Sequence, residues 1–277
     1  PFEITAWESG REVRLEPNPH YSGSPPELES ITVRFPQQDP DSWSALLAGG
    51  TCDIVLPDPI ILTPIQPWAR LTDEGQATLW ADVAPVMLRL DFNLDPPTGA
   101  SIPTMDPRVR EAIARCVNRV ALIQDLPTEA LAPAVGFIPP NHPASGAAEE
   151  TAYDPQAARQ LLEETGWRDT DGDGIREAVD VTGFTDGDPL SLTLHLPPQY
   201  LVTAAHIATD LETCGIRANL KPIDLRELYV QDPASPLFGR TFQMALVGWQ
   251  SEVPQVCGAW LSSRVPKADN NWMGENF

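Results

Sequence analysis

MLRLDFNLDPPTGASIPTMDPRVREAIARCVNRVALI, residues 87–123, decides the fold of this chain. It opens as an apolar, strand-like run (Met87, Leu88, Leu90, Phe92), breaks at Asp95-Pro96-Pro97, and restarts as a helix at Asp106. Asp106 suits the N-cap, and Pro107 suits the first helical position, because its missing N–H is one a helix cannot use there. Val109, Ile113, Cys116, Val117, Val120 and Ile123 then recur at three- and four-residue spacing, with Arg108, Arg110, Glu111, Arg115 and Asn118 largely off that stripe. The spacing predicts a buried helix following a strand that crosses between two bodies.

Working outward, 277 residues with 42% apolar content suit about two globular domains with a substantial core. The 39 acidic residues against 18 basic ones give a net charge of −21, which repels polyanions and excludes nucleic acid or an anionic membrane surface as the expected partner. No apolar run approaches the ~18 residues of a membrane span. The chain starts at Pro1, without an initiator Met or a signal peptide, and reads as a piece of something longer.

On the N-terminal side, 2–7 and 12–15 read as strands of a hairpin around Ser9-Gly10, and 31–35 as a third strand. A short helix over 41–47 and an apolar strand over 52–56 complete an expected βαβ unit. On the C-terminal side, Tyr153-Asp154-Pro155 opens a helix that Gly166 stops. Leu190, Leu192, Leu194 and Leu196 alternate with Ser191, Thr193 and His195, the period of a strand, with His195 facing away from the leucines. A helix over 202–214, a strand over 216–220 and a nearly continuous apolar strand over 242–248 follow, making an open α/β lobe.

The ordered set Phe2, Trp7, Gly10, Leu15, Asn18-Pro19, Tyr21, Leu28, Ile31 and Arg34, then Phe92-Asn93, Pro96-Pro97, Val109-Arg110, Asn118-Arg119 and Leu122-Ile123, resembles the family 5 extracellular solute-binding proteins, the peptide receptors of ABC importers. GFIPPNHPAS at 136–145 and YDPQAARQLLEETGWRDTDGDGIRE at 153–177 extend the resemblance, the latter being its most specific part. It implies an α/β, type II periplasmic-binding-protein-like two-lobe fold: residues 1–92 from an incomplete first lobe ending in the crossing strand, and 93–277 from a second lobe truncated at its C-terminus. The implied function is capture of a small solute, peptide-like in the first instance, and its delivery to an ABC permease by a monomeric protein that is periplasmic or extracellular and lipid-anchored at full length. A secreted hydrolase, a calcium-dependent binding module and a ligand-sensing domain are the alternatives.

Nothing in the chain reads as a nucleophile with a base and an orienting partner, so no catalytic residue is expected. For ligand, the expected wall is Phe92-Asn93 together with Trp249, Gln250, Ser251 and Glu252, since ligands of open α/β sheets bind beyond the carboxyl ends of strands. The resemblance puts Glu252 where family members usually carry an Asp that meets a peptide's amino group; Gln255 replaces a second acid. No cofactor is required, but Asp169, Asp171 and Asp173 before Gly174 reproduce the opening of a calcium loop, with the Ile175 carbonyl and Glu177 completing a structural Ca²⁺ shell. In the family the same segment serves as a tight turn. Four cysteines permit two disulfides or equally four buried free thiols; Cys214 and Cys257 are expected at neighbouring sheet edges, where the resemblance also pairs them, and Cys52 and Cys116 form the weaker pair, with free thiols as the alternative.

Overall fold

A computed structural model describes residues 1–35, 40–56, 66–78, 86–124, 133–136, 138, 146, 151–250, 258 and 261–277. The chain divides into two compact units, 1–57 with 63–80, and 58–62 with 81–277.

In the first unit, β1 (Phe2–Glu8), β2 (Glu12–Pro17) and β3 (Ile31–Arg34) form an antiparallel meander. The β1–β2 turn closes on Gly10 at φ 73°, a left-handed conformation that glycine adopts without steric cost. Helices α1 (Pro40–Ala48) and α2 (Gln66–Asp73) pack on each other. The expected strand at 52–56 does not form, and β3 pairs with β2, so the unit carries an antiparallel sheet in place of a βαβ unit. Ile54 and Leu56 are exposed, and with no buried face to fill, a short apolar run gains nothing from a ladder.

The second unit is built on four strands in the order β4 (Val86–Phe92), β9 (Met244–Gln250), β7 (Ser191–Leu196), β8 (Arg217–Pro222). β8, β7 and β9 run parallel and β4 antiparallel to β9. The strand expected to end the first lobe therefore belongs to the second unit's sheet, and the division falls near residue 80 and not at 92.

One sheet face carries Leu192, Leu194 and Leu196, all fully buried beneath α3 (Pro107–Cys116), α5 (Pro155–Glu164) and α6 (Leu201–Thr213). Burying each leucine stabilises by about 1.5–3 kcal/mol. Asp106 caps α3 by accepting from the Arg108 N–H, and Asp154 caps α5 by accepting from the Ala157 N–H. The helix expected to run on to residue 123 breaks at Val117-Asn118 and restarts as α4 (Arg119–Gln124). The Asn118 N–H there donates to an Asp210 carboxylate oxygen, and its side chain accepts from the Ala121 N–H, so the break satisfies the groups it frees. Gly166 stops α5 at φ 90°; a Cβ there would lie 2.6 Å from the Val179 carbonyl oxygen. The short hairpin β5 (Trp167–Arg168) and β6 (Glu177–Ala178) follows.

The opposite sheet face buries Ala245 and Val247 against Leu228 of α7 (Leu225–Tyr229), Leu237, Phe238, Phe242 and Phe277. His195 lies on the face away from the leucines, as the alternation predicts, but is only 4% exposed. Both faces of β7 are covered.

A disulfide joins Cys116 to Cys214, with Cα atoms 6.4 Å apart. This corrects both expected pairings, Cys214 with Cys257 and Cys52 with Cys116; Cys52 is a free thiol, and Cys257 lies outside the described residues. The reason is the packing of α3 on α6: the last residue of one helix meets the C-cap of the other, a contact between helices that strand-edge reasoning does not consider.

Candidate functional site

Register decides which expected ligand residues share a location. Phe92 pairs with Met244 and Met87 with Trp249, five steps apart, or about 17 Å at the rise of an extended strand. Because β4 and β9 are antiparallel, the end of one lies beside the start of the other. Phe92-Asn93 and Trp249-Gln250 therefore stand at opposite ends of the ribbon and do not form one small cleft.

The Phe92-Asn93 end is a structural clasp. Phe92 packs on the leucine-face core. Asn93 is fully buried; its Nδ2 donates to the Arg240 carbonyl at 2.6 Å and the Phe242 carbonyl at 2.9 Å, and its Oδ1 accepts from the Asp95 N–H at 3.2 Å. Arg240 in turn donates to the carbonyl and carboxylate of Asp95. With its amide consumed by backbone, Asn93 has nothing to offer a solute.

At the Trp249 end, the indole is half-buried and engaged on several sides. Its Nε1–H donates to Asp91 Oδ2 at 3.0 Å, and the Arg89 guanidinium carbon lies 5.0 Å from the ring centroid. Tyr229 meets it edge-on at 5.7 Å and Phe277 lies tilted at 6.3 Å. Arg89 also pairs with Asp91 at 3.0 Å and approaches Glu275 at 3.9 Å. Burial pushes the Asp91 carboxyl above its usual range, with Arg89 and the indole N–H pulling back. Tyr229 OH donates to the Gly248 carbonyl and accepts from the Gly248 N–H, and burial pushes the phenol up to about 12. Trp249 is thus both part of the apolar cluster and part of the surface at the strand end. The side chain of Gln250, and Ser251 and Glu252, lie outside the described residues.

Arg89, Asp91, Tyr229, Glu275 and Phe277 are members of this cluster that sequence reasoning missed. Arg89 and Asp91 alternate with Leu88, Leu90 and Phe92, a signal that they share the second face of β4; their partners on β9, α7 and the tail carry no such signal.

In the acidic loop, carboxylates of Asp169, Asp171 and Glu177 lie within 4.8 Å of one another. Asp173 falls outside that set and approaches Arg217 at 3.8 Å. The loop's own backbone already uses these groups: Asp169 accepts from the Gly172 and Gly174 N–H groups, Asp171 from Asp173, and Asp173 from Ile175. Glu177, 8% exposed, accepts from the backbone and hydroxyl of Thr170. The donor set is oxygen-only and suits a hard cation in kind, but each carboxylate also has a hydrogen-bonding task without one.

Among the described residues no helix is long and apolar enough to cross a membrane. The structure is similar to the oligopeptide-binding protein of Thermus thermophilus complexed with a pentapeptide (TM-score 0.73, 23% identity, covering all of this chain and 48% of that one). It is also similar to NikA of Brucella suis in complex with Fe(III)-EDTA (TM-score 0.71, 22% identity, 98% and 52%). These likenesses show the type II periplasmic-binding-protein fold. In sequence the chain is 28% identical over 224 residues to protein XP55 of Streptomyces lividans (80% of this chain, 38% of that protein). It is 27% identical over 170 residues to the glutathione-binding protein GsiB of Salmonella paratyphi A (61% and 31%). The chain thus spans about a third of the length of these curated relatives. The family model for bacterial extracellular solute-binding proteins, family 5 (middle), matches residues 1–268, nearly the whole chain, and the chain belongs to that family.

Proposed function

We propose that this chain is part of an extracytoplasmic receptor that captures a small solute, peptide-like in the first instance, and passes it to an ABC permease. The observation that carries the reading is the family match across residues 1–268; the glutathione- and peptide-binding relatives support the solute class. The full-length receptor is a monomer, lipid-anchored to the cytoplasmic membrane, and turns over no substrate. Its solute meets the Trp249 end of the β4–β9 ribbon, where β9 runs past the carboxyl ends of the parallel strands β7 and β8 and an aromatic surface lies beside charged groups, the mixture a small-molecule site uses for affinity and orientation. Because the indole N–H is already given to Asp91, Trp249 offers the solute apolar area and no hydrogen bond.

The test is mass spectrometry of whatever co-purifies with the full-length protein, followed by calorimetry of that compound on the parent and on Trp249→Ala. Affinity should fall by about 1–3 kcal/mol, the value of a large side chain's buried area. Unchanged affinity with a lowered melting temperature would assign Trp249 to the core alone.

A further inference from the structure

We infer that Asp91, assisted by Arg89, is the positioning residue of the solute site: it holds the Trp249 indole in one orientation and so sets the wall the solute meets. The inference rests on the placement of the site at Trp249 proposed above.

Register makes the argument. Trp249 stands opposite Met87, whereas Asp91 stands opposite Ala245, four steps back along β9, or about 13 Å between backbone positions. A 3.0 Å bond from the indole N–H to Asp91 therefore requires the ring to lie back along the sheet and not project off the strand end. Arg89, between the two on the same face of β4, lies over the ring and donates to the carboxylate oxygen that accepts the indole N–H. One carboxylate thus fixes the aromatic ring and the cation stacked on it.

A purely structural role would be met more cheaply. The neighbouring positions on this face, Ala245 and Val247, are apolar and fully buried. Replacing a buried ion pair by well-packed apolar groups is often neutral or stabilising, so packing alone does not call for a carboxylate here. What apolar groups cannot supply is direction: only an acceptor at residue 91 selects the flat rotamer of the indole over the others open to it.

The experiment uses the full-length receptor labelled with 5-fluorotryptophan, the Trp249 line being assigned by its loss in Trp249→Phe. Asp91→Leu removes the acceptor, and Asp91→Asn keeps one oxygen able to take the indole N–H. Without any solute, the Trp249 fluorine line should be single and sharp in the parent and in Asp91→Asn, and shifted and exchange-broadened in Asp91→Leu; an unchanged line in Asp91→Leu overturns the inference. An equimolar mixture of di- to pentapeptides is then offered and read by native mass spectrometry. Affinity for the bound peptides should fall tenfold or more in Asp91→Leu and stay within about threefold in Asp91→Asn, and Asp91→Leu should add nothing in a Trp249→Phe background, since residues acting through one another are non-additive. Equal peptide affinity in parent and Asp91→Leu, or additive effects, overturns it as well. A parent that binds no peptide of the mixture counts against the solute class proposed above, while the fluorine line still decides the orientation of the ring. If Asp91→Leu does not fold, Asp91→Ser, too short to reach the indole, takes its place in each comparison.

Discussion

Cys116, the last residue of α3, is bonded to Cys214, the C-cap of α6, and both are buried. The bond closes 98 residues of chain, a span for which loop-closure entropy gives about 4–5 kcal/mol. Replacing both cysteines by serine should cost about 2–5 kcal/mol of stability, read as a lower denaturant midpoint, and should steepen the slope, because the unfolded chain loses its cross-link and exposes more surface. A non-reduced digest should join the peptide bearing Cys116 to the one bearing Cys214. A link from Cys214 to Cys257 would contradict the packing of α3 on α6.

Asn93 predicts a stability effect with no binding effect. Asn93→Ala leaves the buried carbonyl of Phe242 and the partly buried carbonyl of Arg240 without their side-chain partner, and a buried unmet group costs about 1–3 kcal/mol, whereas the N–H of exposed Asp95 can turn to water. The melting temperature should drop by several degrees, while the affinity of the full-length receptor for its co-purified solute stays at the parent value. A selective loss of affinity would bring this end of the ribbon back into the site.

His195 gives a pH dependence with a definite sign. Burial, with Lys221 nearby, lowers its pKa to about 4, and among the described residues its Nδ1 has no hydrogen-bond partner. The folded state therefore keeps the imidazole neutral where the unfolded chain, near 6.5, takes up a proton. Stability from this group is complete above about 6.5 and is lost as pH falls toward 4. Urea titrations between pH 7 and 4 should show that slope in the parent and a flatter one in His195→Gln.

The acidic loop is expected to hold its shape without a cation, since Asp169, Asp171, Asp173 and Glu177 each close a loop N–H or hydroxyl. Stripping the protein with chelator should leave its melting temperature unchanged. A rise in melting temperature on adding millimolar Ca²⁺, abolished in Asp171→Asn, would show that the carboxylates take the ion; saturation at ten times Kd would be worth about 1.4 kcal/mol.

Much of the second unit was legible because its signals are local. Asp106-Pro107, Asp154-Pro155 and Gly166 mark helix ends through backbone chemistry that needs no tertiary partner, and the leucine alternation fixes the buried face of β7. The candidate site was only half legible. That Trp249 stands at a strand end followed from where an apolar run stops, but placing Phe92-Asn93 beside it assumed that two strand ends meet, and only the antiparallel register of β4 and β9 shows that they do not. The disulfide failed for a related reason: the approach of α3 to α6 is a contact across nearly a hundred residues, and nothing in the spacing of four cysteines encodes it. In the first unit, the run at 52–56 has the composition of a strand and, among the described residues, no strand beside it, so propensity alone misleads.

Val86 and Gln250, where the central sheet's first and last strands meet, are paired neighbours although 164 residues of chain separate them. A stretch whose two ends coincide is an insert: a host chain could receive it at a single point without being stretched, and it could be lifted out as readily. Grafting 86–250 between the strands of an unrelated hairpin, with the 261–277 tail supplied in trans to restore Phe277, is therefore a practical way to make this body a module in its own right.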